Sequence, residues 1–106
     1  MAEREIIDII SRYITILKEN GVFFEKVILF GSNVNGFPGK WSDIDIAVVS
    51  SEFGKDHMEE RLMLAKLAYR IDPRLEVHPI GLYEYEHETW KTIIHEIKTT
   101  GLEIAA

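Results

Sequence analysis

Gly31 to Asp45 reads GSNVNGFPGKWSDID and separates two stretches with the composition of β-strands. The preceding stretch, Lys26 to Phe30, is β-branched and aromatic, is too short for a helix and stops at a glycine. The following stretch, Asp43 to Val49, is bounded by two serines and predicts a second strand. The segment rich in glycine is therefore predicted to connect two strands of one sheet.

The rest of the chain supplies helices and one further sheet strand. An amphipathic helix is predicted from the apolar spacing between Ile6 and Leu17, with its end near Asn20-Gly21. The later elements are a helix opened by the capping-box spacing of Asp56 to Glu59 and running to Asp72-Pro73, a strand from Leu75 to Ile80, a helix marked by Trp90 to Ile97 and ended by Thr100-Gly101, and a candidate closing strand from Leu102 to Ile104. This order predicts an α/β (α+β) fold with a small mixed β-sheet flanked by helices.

Composition limits the classes of protein to consider. The 106 residues are 46% hydrophobic and predict one domain, residues 1–106, with a core that needs no disulfide. The chain has no cysteine, which excludes a thiol nucleophile and agrees with the cytoplasm as its location. Charged residues near the start argue against a signal peptide, and no apolar run is long enough to cross a membrane. The net charge of −6 argues against tight binding to nucleic acid.

The turn after the first strand is a candidate anion site. Gly31-Ser32 follows the strand directly, and Gly36 comes four residues after the serine. Such a turn can present backbone N–H groups and a hydroxyl to a phosphate. A plain turn is the alternative, because glycine and serine are common in turns of every kind.

Three carboxylates are expected on one face of the sheet. Asp43 and Asp45 are two residues apart in a strand, so their side chains project the same way. Glu76 interrupts the third strand and would face them if that strand paired beside the second. Because close carboxylates repel one another, such a group needs a cation, and oxygen ligands favour Mg²⁺ or Mn²⁺ over zinc. A metal beside a phosphate turn indicates phosphoryl or nucleotidyl transfer.

These residues together resemble a known signature. Gly31-Ser32, Gly36 and Ser42-Asp43-Ile44-Asp45 are similar to the pattern of the DNA polymerase beta nucleotidyltransferase superfamily, and the short chain looks like its minimal nucleotidyltransferases (MNT). The resemblance implies the polymerase beta-like fold, three metal-binding carboxylates (Asp43, Asp45 and Glu76) and a nucleotide held by Gly31, Ser32, Gly36 and Ser42. It also implies an antitoxin that transfers AMP from ATP to a hydroxyl of a partner HEPN ribonuclease toxin.

The sequence departs from the family pattern at several positions. Glu76 stands where aspartate is more frequent, and Asn35 stands where a basic residue is frequent, for which Lys40 is a candidate substitute. The apolar loop containing Phe37 and Trp41 could stack on adenine, contact a partner or fold over the sheet edge. His78 shares the face of Glu76 and is either a phosphate contact or a structural histidine.

Three functions remain open at this stage. The first is the adenylyltransferase just described, which would use Mg²⁺ or Mn²⁺ and ATP. The second is an antitoxin that neutralises its partner by binding alone, since Glu76 and Asn35 depart from the pattern. The third is a nucleotidyltransferase acting on a small molecule, which would need a homodimer to complete an acceptor pocket.

Overall fold

The computed structural model describes residues 4–31 and 43–105 of the chain. Within these two ranges the chain forms four helices and four strands. The helices are α1 (Arg4–Glu19), α2 (His57–Tyr69), α3 (Leu82–His87) and α4 (Thr92–Thr100); the strands are β1 (Lys26–Phe30), β2 (Ile44–Ser50), β3 (Leu75–Gly81) and β4 (Leu102–Ala105). No helix in these ranges is long and apolar enough to span a bilayer.

The four strands form one mixed sheet in the order β3-β2-β1-β4. β1 is antiparallel to both of its neighbours, whereas β2 and β3 are parallel and are joined through α2. A parallel pair requires such a crossover, because the chain must return to the same end of the sheet. The predicted small mixed sheet with flanking helices is confirmed.

Helices cover both faces of the sheet. On one face α1 and α2 pack against the sheet, and their buried contacts include Tyr13 and Leu64. On the other face Ile94 and Ile97 of α4 pack against Ile28 of β1 and against neighbouring side chains of β2 and β3. The inner strand β2 is consequently buried along most of its length, which explains its nearly continuous run of apolar residues.

The helix α1 follows its sequence pattern closely. Its buried residues lie at three- and four-residue steps from Ile6 to Leu17. The helix ends as predicted at Asn20-Gly21, where the asparagine side chain donates to the Ile16 carbonyl at 2.8 Å and the glycine has φ +73°. A glycine tolerates this left-handed conformation without the steric cost of a Cβ atom.

The helix α2 begins where the sequence predicts but ends earlier. The Asp56 side chain caps the helix by accepting from the Glu59 N–H at 3.1 Å. In a capping box the Glu59 carboxylate would accept from the backbone before the helix, but here the Glu60 carboxylate accepts from the N–H groups of Gly54 and Asp56. The prediction that the helix reaches Asp72-Pro73 is wrong. It ends at Tyr69, because the next two N–H groups bond to carbonyls three residues back and tighten the chain into a turn.

The region between β3 and β4 contains two helices. Tyr83 and Tyr85, with the glutamates beside them, form the separate helix α3. The helix α4 starts at Thr92, so Trp90 lies in the turn before it and is 76% exposed. The candidate closing strand is present as β4, which pairs with the free edge of β1.

Candidate functional site

The ends of three adjacent strands lie side by side at one end of the sheet. Gly31 follows β1, Asp45 is the second residue of β2, and Glu76 is the second residue of β3. Antiparallel pairing places Phe30 opposite Asp45, and parallel pairing places Asp45 opposite Glu76. The third strand thus pairs beside the second, which is the condition for Glu76 to face the aspartates, and two of the three predicted carboxylates lie on adjacent strands.

Asp43 lies just outside this strand pair. The strand β2 begins at Ile44, whose N–H donates to the Arg74 carbonyl at 2.8 Å, so Asp43 precedes the first paired residue and is exposed. Ser32, Gly36 and Ser42 fall in residues 32–42, outside the described part of the chain, as do Asn35, Phe37, Lys40 and Trp41. Their predicted roles stay predictions.

The turn glycine packs directly against one of the carboxylates. Gly31 has φ +82°, a conformation that side chains with a Cβ atom rarely adopt. A Cβ atom at this position would lie 2.8 Å from Oδ2 of Asp45. The close approach of the turn to Asp45 thus depends on glycine for two separate reasons, the backbone conformation and the missing side chain.

A histidine lies between the two carboxylates. Nε2 of His78 is 3.4 Å from Oδ1 of Asp45 and 3.9 Å from Oε1 of Glu76. The imidazole ring of His78 also packs against the Phe30 ring, with 5.3 Å between the ring centroids. The sequence predicts only that His78 shares a strand face with Glu76. That spacing does not show whether His78 contacts a phosphate or a carboxylate.

A cation from a helix also reaches the site. Nη2 of Arg61, on α2, lies 3.4 Å from Oε1 of Glu76. Both side chains are about half exposed, with 53% and 42% of their surface accessible, so water and salt weaken the attraction. Sequence reasoning missed Arg61, because its proximity depends on how α2 packs against β3.

The arrangement fits a divalent cation. Ligand atoms of Asp45, Glu76 and His78 all lie within 4.8 Å of one another. Two ligands on opposite sides of a small divalent ion would be about 4.2 Å apart, since each metal–ligand distance is about 2.1 Å. Carboxylate oxygens are ligands that Mg²⁺ and Mn²⁺ accept, so these side chains have the spacing and the chemistry of a metal site.

An open groove adjoins this cluster on the side of β3. Its volume is about 600 Å³, and it lies between the first turns of α2 and the start of α4. His78 and Arg61 line the end near the carboxylates, and Met58 and Leu62 line the helix wall. The two α2 side chains are 76% and 58% exposed, which is unusual for large apolar groups.

The comparison with known families assigns the fold to a class. The sequence profile of the family described as nucleotidyltransferase domain matches residues 10–102. The chain therefore belongs to the nucleotidyltransferase domain family. No curated protein sequence matches it significantly.

Solved structures give more specific likenesses. A Sulfolobus solfataricus protein assigned as a nucleotidyltransferase superposes with a TM-score of 0.66 at 15% identity, over 93% of this chain and 78% of that one, a likeness of fold. A toxin–antitoxin crystallised with AMP-PNP gives 0.62 at 28% identity, over 89% and 70%. A tri-AMPylated Shewanella oneidensis HEPN toxin in complex with its MNT antitoxin gives 0.55 at 26% identity, over 89% and 66%. The domain thus resembles MNT antitoxins in toxin–antitoxin complexes.

Proposed function

We propose that this chain is a single-domain, metal-dependent adenylyltransferase of the cytoplasm that transfers AMP from ATP to a hydroxyl of a HEPN ribonuclease toxin and thereby acts as its antitoxin. The observation that carries the proposal is the pair of adjacent carboxylates, Asp45 and Glu76, at the strand ends beside the Gly31 turn. Nucleotidyl transfer requires carboxylates that bind a metal next to a turn that can hold phosphates, and this nucleotidyltransferase domain has that combination of groups.

The proposed roles divide between phosphates and metal. Gly31, Ser32, Gly36 and Ser42 hold the triphosphate through backbone N–H groups and hydroxyls. Asp43, Asp45 and Glu76 hold Mg²⁺ or Mn²⁺. When bound, the metal neutralises phosphate charge and favours the ionised acceptor hydroxyl.

The proposed reaction exchanges one phosphorus–oxygen bond for another. The acceptor oxygen bonds to the α-phosphorus of ATP, the bond to the β-phosphate oxygen breaks, and pyrophosphate leaves. Glu76, whose carboxylate lies 3.4 Å from the groove-lining Arg61, accepts the hydroxyl proton. An acceptor approaching through the groove would reach Glu76 from the side away from Gly31.

The partner assignment comes from the structural likenesses. Two solved structures with 28% and 26% identity are toxin–antitoxin complexes, one with AMP-PNP and the other with an AMPylated HEPN toxin. ATP as donor and a HEPN protein as acceptor are the substrates that these likenesses support for this chain.

A transfer assay tests the proposal. The purified chain would be incubated with Mg²⁺, ATP labelled at the α-phosphate and extract of the source cells, and the labelled protein identified by mass spectrometry. Asp45→Asn should reduce labelling by about 100-fold or more, because it removes one ligand charge that stabilises the transition state. Asp8→Asn is the matched control, since Asp8 is exposed on α1, which covers the other face of the sheet. Labelling that is equal in both variants would refute the assignment of Asp45.

A second candidate function has its own supporting observation. Met58 and Leu62 are large, exposed and one helical turn apart on α2, as expected of a surface that binds another protein. On this alternative the antitoxin neutralises its partner by contact alone. Leu62→Glu should then abolish neutralisation of the toxin in cells, whereas Asp45→Asn should leave it intact. The opposite pattern would favour catalysis.

A further inference from the structure

His78 occupies the centre of the candidate metal cluster rather than its margin. Its side chain is 14% exposed, compared with 26% for Asp45 and 42% for Glu76. The ring packs against Phe30 of β1, which lies across β2 from β3, and this contact holds the imidazole on the same sheet face as the two carboxylates. The orientation of Nε2 is therefore fixed by packing on one side and by acidic groups on the other.

The distances around His78 are long for direct pairing. A charge-assisted hydrogen bond between a ring nitrogen and a carboxylate is normally about 2.7–2.9 Å long. Here Nε2 lies 3.4 Å from Asp45 and 3.9 Å from Glu76. Three donor atoms that face one another at such spacings surround a common point, and ligands of a metal ion about 2.1 Å away would have separations of this size.

We infer that His78 is a metal ligand together with Asp45 and Glu76, and that its imidazole makes the site favour Mn²⁺ over Mg²⁺. The inference rests on the proposed function and goes beyond it, because a site of carboxylates alone would suit Mg²⁺. An imidazole nitrogen is a softer ligand, and it raises the affinity for transition-series divalent ions relative to Mg²⁺.

Direct spectroscopy of bound Mn²⁺ tests the inference, first on the wild-type chain and then on two variants. With the metal alone added to the full chain, electron spin-echo envelope modulation should detect ¹⁴N coordinated directly to Mn²⁺. His78→Gln should abolish this signal. The matched control is His57→Gln, because His57 is an exposed histidine whose Nε2 lies 3.5 Å from Glu84. A wild-type spectrum without coordinated nitrogen, or a signal lost equally in the control, would overturn the inference.

Metal affinities supply the second readout. By titration calorimetry, His78→Gln should weaken Mn²⁺ binding by about tenfold or more and should leave Mg²⁺ binding within about threefold of the wild type. Circular dichroism would verify that the variant keeps its fold. Equal losses for the two metals would show that His78 only supports the fold of the site.

The outcomes separate the inference from the function it rests on. If nitrogen coordination is found but no protein is labelled with AMP, the proposed transferase activity fails and the His78 ligand stands. If labelling proceeds with Mg²⁺ and no nitrogen is found on Mn²⁺, the inference about His78 fails and the transferase activity stands.

Discussion

At the scale of single residues, glycine sets how closely the backbone approaches Asp45. Gly21 offers a comparison for Gly31, since both have positive φ, +73° and +82°. A Cβ atom at Gly31 would lie 2.8 Å from the Asp45 carboxylate, whereas at Gly21 no atom lies within 4 Å. A substitution would therefore strain the backbone at both positions, but only at Gly31 would the new side chain also clash with a neighbouring residue.

Replacing both glycines separates these effects. Gly21→Ala should lower the free energy of unfolding by about 1–2 kcal/mol, the cost of a left-handed alanine, and leave divalent-metal binding unchanged. Gly31→Ala should lower it by at least as much and also weaken metal binding by about tenfold, because Asp45 must move. Urea denaturation and calorimetry measure the two quantities. Equal metal affinities in the two variants would contradict this account of Gly31.

We expect Arg61 to oppose metal binding at the proposed site. Its guanidinium lies 3.4 Å from Glu76 and offsets negative charge that would otherwise attract a divalent ion. Arg61→Gln should raise the affinity for Mn²⁺ by about two- to fivefold, the range expected for a half-exposed pair. Arg70→Gln is the control, because Arg70 follows the far end of α2, about 13 Å along the helix axis. A decrease in affinity on removing Arg61 would contradict its role as a competitor.

At the scale of secondary-structure elements, Glu84 holds the start of α3 in place. Its carboxylate accepts from the Gly81 N–H at 2.9 Å and from Nζ of Lys91 at 3.1 Å, so it links β3, α3 and the turn before α4. Burial raises the pKa of Glu84, but these hydrogen bonds and the charges of His57 and Lys91 together outweigh burial, and the pKa is lowered from its ordinary value of 4.5. The carboxylate thus stabilises the fold in its ionised form.

The sign of the pH dependence follows from that lowered pKa. The stabilisation is fully present above pH 4.5 and is lost as the pH falls through the lower pKa of the folded state. Wild-type chain should therefore lose unfolding free energy more steeply below pH 4.5 than Glu84→Gln. Glu86→Gln, an exposed change on the same helix, should behave like the wild type in urea titrations at a series of pH values. Parallel curves for the wild type and Glu84→Gln would refute the prediction.

At the scale of the whole molecule, Tyr13 joins the two helices that cover one face of the sheet. It is completely buried on α1, and its hydroxyl donates to the Leu64 carbonyl of α2 at 2.9 Å. Burial raises the pKa of Tyr13 well above its usual range, so the hydroxyl stays protonated and continues to donate. This bond connects residues 51 positions apart in the sequence.

Removing that hydroxyl should weaken the packing of the two helices. Tyr13→Phe should lower the free energy of unfolding by about 0.5–1.5 kcal/mol, the net value of a typical buried hydrogen bond. Tyr69→Phe, at a tyrosine that is 76% exposed, should change it by less than about 0.5 kcal/mol. Urea denaturation measures both free energies, and unchanged m-values would show that the variants differ in stability alone. Equal stability of the two variants would show that the bond contributes nothing.

The sequence by itself determined most of the helices and strands and the family to which the domain belongs. The helix α1 and the strand β1 follow from local spacing and β-branched composition, which act between near neighbours in the chain. The same local alternation places Glu76 and His78 on one strand face. The end of α2 was predicted wrongly because the apolar pattern continues to residue 71. The N–H groups of residues 70 and 71 bond to carbonyls three residues back, which ends the α-helix in a tight turn.

Only the tertiary structure decided which side chains meet. The parallel register of β2 and β3 places Asp45 opposite Glu76, and the packing of α2 against β3 carries Arg61 to the same carboxylate. The position of His78 between two acids depends on both strands at once. Local patterns do not encode such relations, because strand register and helix packing are set by the burial of apolar side chains far apart in the sequence.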